Sequence, residues 1–153
     1  MGIDVVMIIK LTVATVLGAV VGFEREYVGK AAGMRTFSLV SLGSCLFTIL
    51  SAWGFQQFVG MPGFSFDPSR IAAQVITGIG FLGAGLIIFR GFRVEGLTTA
   101  AGLWVSAAIG MAVGLGFYVL SLVTAGLVLV IFFFLKHLEP KEHAGGPHRD
   151  DAM

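Results

Sequence analysis

The chain has 153 residues, of which 56% are hydrophobic and only 12% are charged, and its mean hydropathy is +0.93. Because soluble domains carry roughly 25% charged residues, this composition excludes an ordinary soluble domain. The formal net charge of +1 provides no basic surface for nucleic acid, and the single Cys45 excludes a disulfide within the chain.

Five apolar segments have the length of a membrane span, which needs about 20 residues. They cover residues 5–23, 37–55, 69–89, 97–113 and 117–135. We therefore predict an all-α membrane protein, with a bundle of about five transmembrane helices in residues 1–135. A disordered polar tail should follow over residues 136–153. The fourth segment is short, so a re-entrant helix is the alternative there.

Lys10 interrupts the first segment near one of its ends. Its long side chain could reach the membrane interface, or it could serve as a functional cation inside the membrane. Small residues follow at four-residue spacing, at Ala14, Gly18 and Gly22. That spacing places them on one helix face, where they would allow another helix to pack closely.

Hydroxyl side chains recur on one face of the second segment, at Ser41, Ser44, Thr48 and Ser51. In membrane helices such hydroxyls usually bond to their own backbone or to a neighbouring helix. A polar conduction path is the alternative interpretation.

The third segment opens with Asp67 as a predicted N-cap and Pro68 as the first helical residue. It contains GIGFLGAG, which has the G-x-G-x-x-G spacing of a dinucleotide site but no preceding strand and no suitable acid. Close helix packing is the favoured explanation, within one chain or between copies in a homo-oligomer. The predicted packing positions are Gly18, Gly22, Gly78, Gly80, Gly83, Gly85, Gly102, Ser106 and Gly110.

All nine acidic residues fall at predicted interfaces, in loops or in the tail. A divalent-cation carrier or a proton relay would normally place an acid at membrane depth. The pattern argues against an ion-coupled transporter acting alone, although backbone carbonyls could still form an ion path. No nucleophile–base pair is apparent, and His137, His143 and His148 lack a compact zinc spacing. We therefore expect a non-enzymatic protein with no metal and no cofactor.

Charged residues gather at one set of predicted helix ends, and we name this set the charged rim. Its members are Glu24, Arg25, Glu26, Lys30, Arg35, Arg90, Arg93 and Glu95. The rim could simply face lipid headgroups, or it could dock a protein, a phosphate-bearing ligand or a specific headgroup. Its mixture of signs favours a specific, salt-bridged arrangement.

Lysines and arginines divide unequally between the two sides of a five-span chain, with eight on the side of the rim and two on the other. The positive-inside bias places the larger group in the cytoplasm. The N-terminus is then predicted outside and the C-terminus in the cytoplasm.

Three motifs resemble the MgtC/SapB family of bacterial membrane proteins. They are GFEREYVGKAAGMRT (22–36), DPSRIAAQVITGIGFLGAGLI (67–87) and VEGLTTAAGLWVSAAIGMAVGLGFY (94–118), and together they cover about two fifths of the chain. The resemblance implies a multi-pass inner-membrane protein linked to growth at low magnesium and, in some pathogens, to survival inside macrophages. It also implies action on partners such as the proton-driven ATP synthase. Type members carry a soluble C-terminal domain, whereas this chain ends about 18 residues after the fifth segment.

The resemblance and the missing intramembrane acids together favour a membrane regulator that contacts lipids and a membrane-protein partner. A small transporter or channel for Mg²⁺ or another ion is the alternative. Its path would run beside the glycines of the third segment and the hydroxyls of the second.

Overall fold

The computed structural model describes residues 3–62 and 65–135 and contains five long helices. The predicted tail, including its three histidines, lies outside the described residues. The helices are α1 Ile3–Tyr27, α2 Met34–Trp53, α3 Ser69–Leu86, α4 Leu97–Leu115 and α5 Tyr118–Val130. A short 3₁₀ turn, Gln56–Phe58, follows α2, and a π-helical turn, Ile131–Leu135, ends the described chain. The all-α prediction is confirmed.

Each of the five helices is long and apolar enough to cross a membrane, when α5 is counted with its π-helical turn. The fourth is a continuous helix of 19 residues, which at 1.5 Å per residue is about 28 Å long. This length matches the hydrocarbon core of a bilayer, roughly 30 Å thick. The chain is therefore a multi-pass membrane protein, and α4 needs no re-entrant turn.

Three helix ends differ from the prediction by three or four residues, all beside charged residues, and one of them is the start of α2 at Met34 rather than at residue 37. Helix α1 continues one turn beyond residue 23 to Tyr27, because Glu24 and Arg25 are buried there against each other. Helix α3 stops at Leu86 rather than at residue 89. The chain then forms a two-stranded antiparallel hairpin, β1 Ile88–Arg90 and β2 Arg93–Glu95, where a plain loop was expected.

Glycine is required where this hairpin joins α4. Gly96 precedes α4 with a φ of +91°, a left-handed conformation that other residues adopt only at a cost. A Cβ at this position would also overlap the carbonyl oxygen of Leu86. The sharp turn from β2 into α4 therefore depends on the missing side chain.

The core forms where α1, α2 and α4 meet, with α2 antiparallel to α1 and parallel to α4. Gly18 and Gly22 of α1 lie so close to α2 that a Cβ on either would sit 2.7 Å from an atom of Phe37. On the other side of α2, a Cβ at Gly110 would overlap the Ser41 carbonyl oxygen. Missing side chains thus let three backbones approach closely, which is how membrane helices gain packing energy.

Helix α3 is peripheral to this core. Ile79 is its only buried residue among those described. It contacts α4 where a Cβ at Gly83 would lie 3.8 Å from the Ala100 side chain. At its first turn it is tied to α2, because the Ser51 hydroxyl donates a hydrogen bond to the Pro68 carbonyl. Most of α3 is therefore open to its surroundings.

Candidate functional site

All eight residues of the charged rim lie at one end of the bundle. Helix α1 ends there and α2 begins there. Because α4 runs parallel to α2, the hairpin that precedes α4 lies at the same end. The fold therefore brings together charges that are up to 71 positions apart in the sequence.

Two rim residues are buried and differ from the other six. The side chains of Glu24 and Arg25 are each only 4% exposed, and the Arg25 guanidinium donates a hydrogen bond to the Glu24 carboxylate. The guanidinium carbon also lies 3.7 Å from the centre of the Phe132 ring. This arrangement ties the last turn of α1 to the chain after α5, and it removes both charges from any docking surface.

Glu26 caps the neighbouring helix. Its carboxylate accepts a hydrogen bond of 2.9 Å from the backbone N–H of Met34, the first residue of α2. The first N–H groups of a helix lack partners within the helix, and a negative charge there is favoured by the helix dipole. Gly33 makes room for this contact, since a Cβ there would lie 2.7 Å from the carboxylate oxygen.

The hairpin contributes Arg90, Arg93 and Glu95 to the exposed part of the rim. The Arg90 guanidinium lies 3.4 Å from the Glu95 carboxylate, and the two side chains are 71% and 57% exposed. Exposed pairs of this kind are worth about 0–1 kcal/mol, so they are available to exchange partners. With the buried pair set aside, the exposed rim consists of Glu26, Lys30, Arg35, Arg90, Arg93 and Glu95.

The predicted packing positions separate into two groups. Gly18, Gly22, Gly102 and Gly110 all lie in close contacts between helices, and the Ser106 hydroxyl donates to the Phe37 carbonyl at 3.1 Å. Three glycines of α3 behave differently: a Cβ there would meet no described atom within 4 Å. These are Gly78, Gly80 and Gly85. For them a packing role stays a prediction, one that would need a contact beyond residues 3–62 and 65–135.

The hydroxyl groups of α2 bond mainly to backbone carbonyls. Ser41 donates to Ala14 at 2.7 Å, and Thr48 donates to Ser44 at 2.8 Å. Ser41 and Ser51 thus bond to neighbouring segments and Thr48 bonds to its own helix, so backbone carbonyls accept from three of the four predicted hydroxyls. Ser44 is the member of the row that lines an open space.

That space is a groove of about 600 Å³ between α2 and α3. Its walls are apolar apart from Thr36, Ser44 and Gln74. The full lining is Thr36, Leu39, Val40, Ser44, Phe47, Ile71, Gln74, Val75, Gly78, Ile79 and Leu82. It lies beside the core and adjoins the exposed rim, because Thr36 follows Arg35 directly.

Lys10 is more deeply placed than the sequence suggested. Its side chain is buried, its ammonium donates 2.8 Å to the Gly114 carbonyl, and it lies 4.3 Å from the centre of the Trp53 ring. It thus points into the bundle and links α1, α2 and α4 at the end opposite the rim. A lysine inside an apolar segment indicated that the side chain could face the interior of the bundle. Its partners, Gly114 and Trp53, are distant in sequence and could not be predicted.

No cluster of three or more His, Cys, Asp or Glu side chains suited to a metal occurs within residues 3–62 and 65–135. Cys45 is a buried free thiol in α2.

A family model described as the MgtC family matches residues 11–141. The chain is 47% identical to "Putative magnesium transporter YhiD" of Escherichia coli K12, over 81% of this chain and 58% of that protein. It is 38% identical to Protein SapB of Bacillus subtilis, over 87% and 58% of the two chains, respectively. It is 41% identical to Protein MgtC of Brucella abortus, over 82% of this chain and 49% of that protein.

The chain spans about half the length of the curated relatives it matches. No solved structure matches it. The family match covers most of the chain, and it includes all eight rim residues, the three helices of the core and the groove. On these grounds the chain belongs to the MgtC family of membrane proteins.

Proposed function

We propose that this chain is a non-enzymatic regulator in the bacterial inner membrane, linked to magnesium homeostasis and membrane energetics, with a role in virulence or intracellular survival. A relative named for magnesium transport supports the link to magnesium. The regulator acts by docking a membrane-protein partner on the exposed rim. By the family resemblance, a component of the proton-driven ATP synthase is the partner to test first.

The separation of a tight core from an exposed charged surface carries this proposal. In the core, the backbones of α1, α2 and α4 are in close contact at glycines, so the core resists rearrangement. At the rim, four cations and two carboxylates stand exposed, and the exposed pair of Arg90 and Glu95 is weak. A partner of complementary charge could therefore bind the rim without disturbing the core.

The proposal places the rim in the cytoplasm. The rim end collects Lys30, Arg35, Arg90 and Arg93, whereas the opposite end carries Arg70 among the described exposed residues. The positive-inside bias then sets the N-terminus outside.

Co-purification from native membranes tests the docking surface. We expect crosslinked wild-type protein to retain a membrane-protein partner and Arg35→Ala to retain at least about threefold less of it, because a charged contact to the rim is lost. Arg70→Ala is the matched control, since this exposed arginine lies at the other end of the bundle. Equal recovery with both variants, or a preparation free of partners, would contradict the proposal.

A small transporter or channel is the second candidate, and the groove between α2 and α3 favours it. Ser44, Gln74 and Gly78 line that groove, as a path beside the hydroxyls and glycines would require. Flux of Mg²⁺, protons and monovalent ions into liposomes containing the protein discriminates the two functions. Flux that Gly78→Leu abolishes would establish the transporter, and absence of flux for every ion would remove it.

A further inference from the structure

The groove between α2 and α3 opens sideways at membrane depth. Its lining extends from Thr36 to Phe47 on α2 and from Ile71 to Leu82 on α3. Each side covers eleven residue steps, or about 16 Å along a helix. One leaflet of a bilayer contributes about 15 Å of hydrocarbon, half of the roughly 30 Å core. The groove is therefore as long as the acyl layer of a single leaflet.

The two ends of the groove are different. One turn beyond Phe47, the bond from Ser51 to Pro68 draws α2 and α3 together and closes that end. The opposite end lies beside Thr36 at the start of α2. The exposed Arg35 precedes Leu39, a lining residue, by one turn on the same face of α2. An apolar slot thus ends at a cation.

The size of the groove suits an acyl chain as the occupant. A volume of about 600 Å³ lies within the range of pockets that hold a small molecule. A single hydrocarbon chain can follow the slot between Leu39, Val40 and Val75. An unfilled apolar gap of this size would forfeit the van der Waals contacts of its lining.

We infer that the groove binds one acyl chain of an anionic glycerophospholipid from the leaflet on the side of the rim, with the lipid phosphate at Arg35. The acyl chain fills the space between α2 and α3 and so adds packing contacts to α3. This binding requires only that α2 and α3 span the bilayer. It shares Arg35 with the proposed docking surface, but the groove variants Gly78→Leu and Gly80→Leu leave that surface unchanged and so test the lipid separately.

Native mass spectrometry of the protein with added phosphatidylglycerol tests the groove. Gly78→Leu should lower retention of the lipid at least about tenfold, because a leucine side chain of several methylene equivalents fills the slot. Gly78 lines the groove and has open space around its Cβ position, so this variant should fold. Gly80→Leu is the matched control: Gly80 has the same open space but does not line the groove.

The headgroup is tested with the same measurement and a second pair of variants. Wild-type protein should retain phosphatidylglycerol several-fold better than phosphatidylcholine, and Arg35→Gln should remove this preference because the cation facing the phosphate is lost. Arg70→Gln, at the closed end, should keep it.

Three results would overturn the inference. Equal lipid retention by Gly78→Leu and Gly80→Leu would show that the lipids bind elsewhere. Loss of preference with Arg70→Gln alone would place the headgroup at the opposite end. A lipid-free dimer that Gly78→Leu disrupts would assign the groove to a second copy of the chain. Because no partner protein is present in this assay, its outcome is independent of the co-purification result.

Discussion

At the scale of single residues, the position of a glycine decides whether it can be replaced. Gly110 and Gly80 both lie within apolar helices and look alike in the sequence. In the fold, Gly110 meets the backbone of α2 at Ser41, whereas the Cβ position of Gly80 has no described atom within 4 Å. Only the first glycine is needed for packing inside this chain.

Gly110→Ala should therefore lower the free energy of unfolding by about 3 kcal/mol, near the upper end of ordinary overpacking costs. The clash is with backbone, which cannot move aside as a flexible side chain could. Gly80→Ala should change stability by less than about 1 kcal/mol. Thermal unfolding in a mild detergent measures both, and similar melting temperatures for the two variants would refute the packing assignment.

The pair of Glu24 and Arg25 is buried, whereas the pair of Arg90 and Glu95 is exposed, so their contributions to stability should differ. Arg25→Met would leave the Glu24 carboxylate buried without its partner and would remove the contact with Phe132. We expect a loss of about 3–5 kcal/mol. Arg90→Met removes an exposed pair and should cost about 0–1 kcal/mol. Denaturant titration of the two variants in mixed micelles compares them, and equal costs would mean that the Glu24–Arg25 pair is not buried in solution.

At the scale of elements, the start of α3 differs by one residue from the prediction, because Pro68 rather than Asp67 occupies the N-cap position. The Asp67 carboxylate still caps the first turn, since it accepts hydrogen bonds from the Ser69 N–H at 2.9 Å and from the Ser69 hydroxyl at 2.6 Å. These bonds lower the pKa of Asp67 below its ordinary value. The side chain stands at the membrane surface, fully exposed to water, so the cap can respond to pH.

A lowered pKa means that the folded state favours the charged carboxylate. Its stabilisation is present above the ordinary pKa of about 3.9 and is lost as the pH falls through the lower folded value. Amide hydrogen exchange at Ser69 and Arg70, corrected for intrinsic rate, should therefore show less protection at pH 3 than at pH 6. In Asp67→Asn this difference should vanish, because the amide oxygen still accepts a bond but does not titrate. An equal pH response in both proteins would contradict the role of the cap.

At the scale of the whole molecule, the orientation of the bundle decides whether the charged rim or the end with Lys10 faces the cytoplasm. One exposed residue at each end can report this orientation: Lys30 lies in the loop at the rim, and Gln57 lies in the 3₁₀ turn at the opposite end. The buried Cys45 should not react with polar reagents, so the parent chain serves as the control.

We predict that Gln57→Cys reacts with an impermeant maleimide on intact cells, whereas Lys30→Cys reacts only after the membrane is opened. This follows from the excess of cations at the rim. Labelling of Lys30→Cys on intact cells would invert the orientation and place the proposed docking surface outside.

By itself, the sequence determined the class of protein, the number of spans and the family, because these depend on the length of apolar runs and on local motifs. It also predicted which charges would meet at one end, since consecutive spans alternate in direction. The sequence also placed Asp67 at the start of α3, where it accepts from Ser69 two residues away, although Pro68 takes the N-cap position.

The surroundings of each of those residues became known only from the packing of the helices. Gly80 and Gly110, or Arg25 and Arg90, are indistinguishable until the neighbouring helix is in place, since burial depends on contacts between residues far apart in sequence. The inward turn of Lys10 needed Gly114, 104 positions away. The groove beside α3 exists because that helix packs on α4 near Gly83 and leaves a gap towards α2. A gap between two helices leaves no periodic signal in either of them.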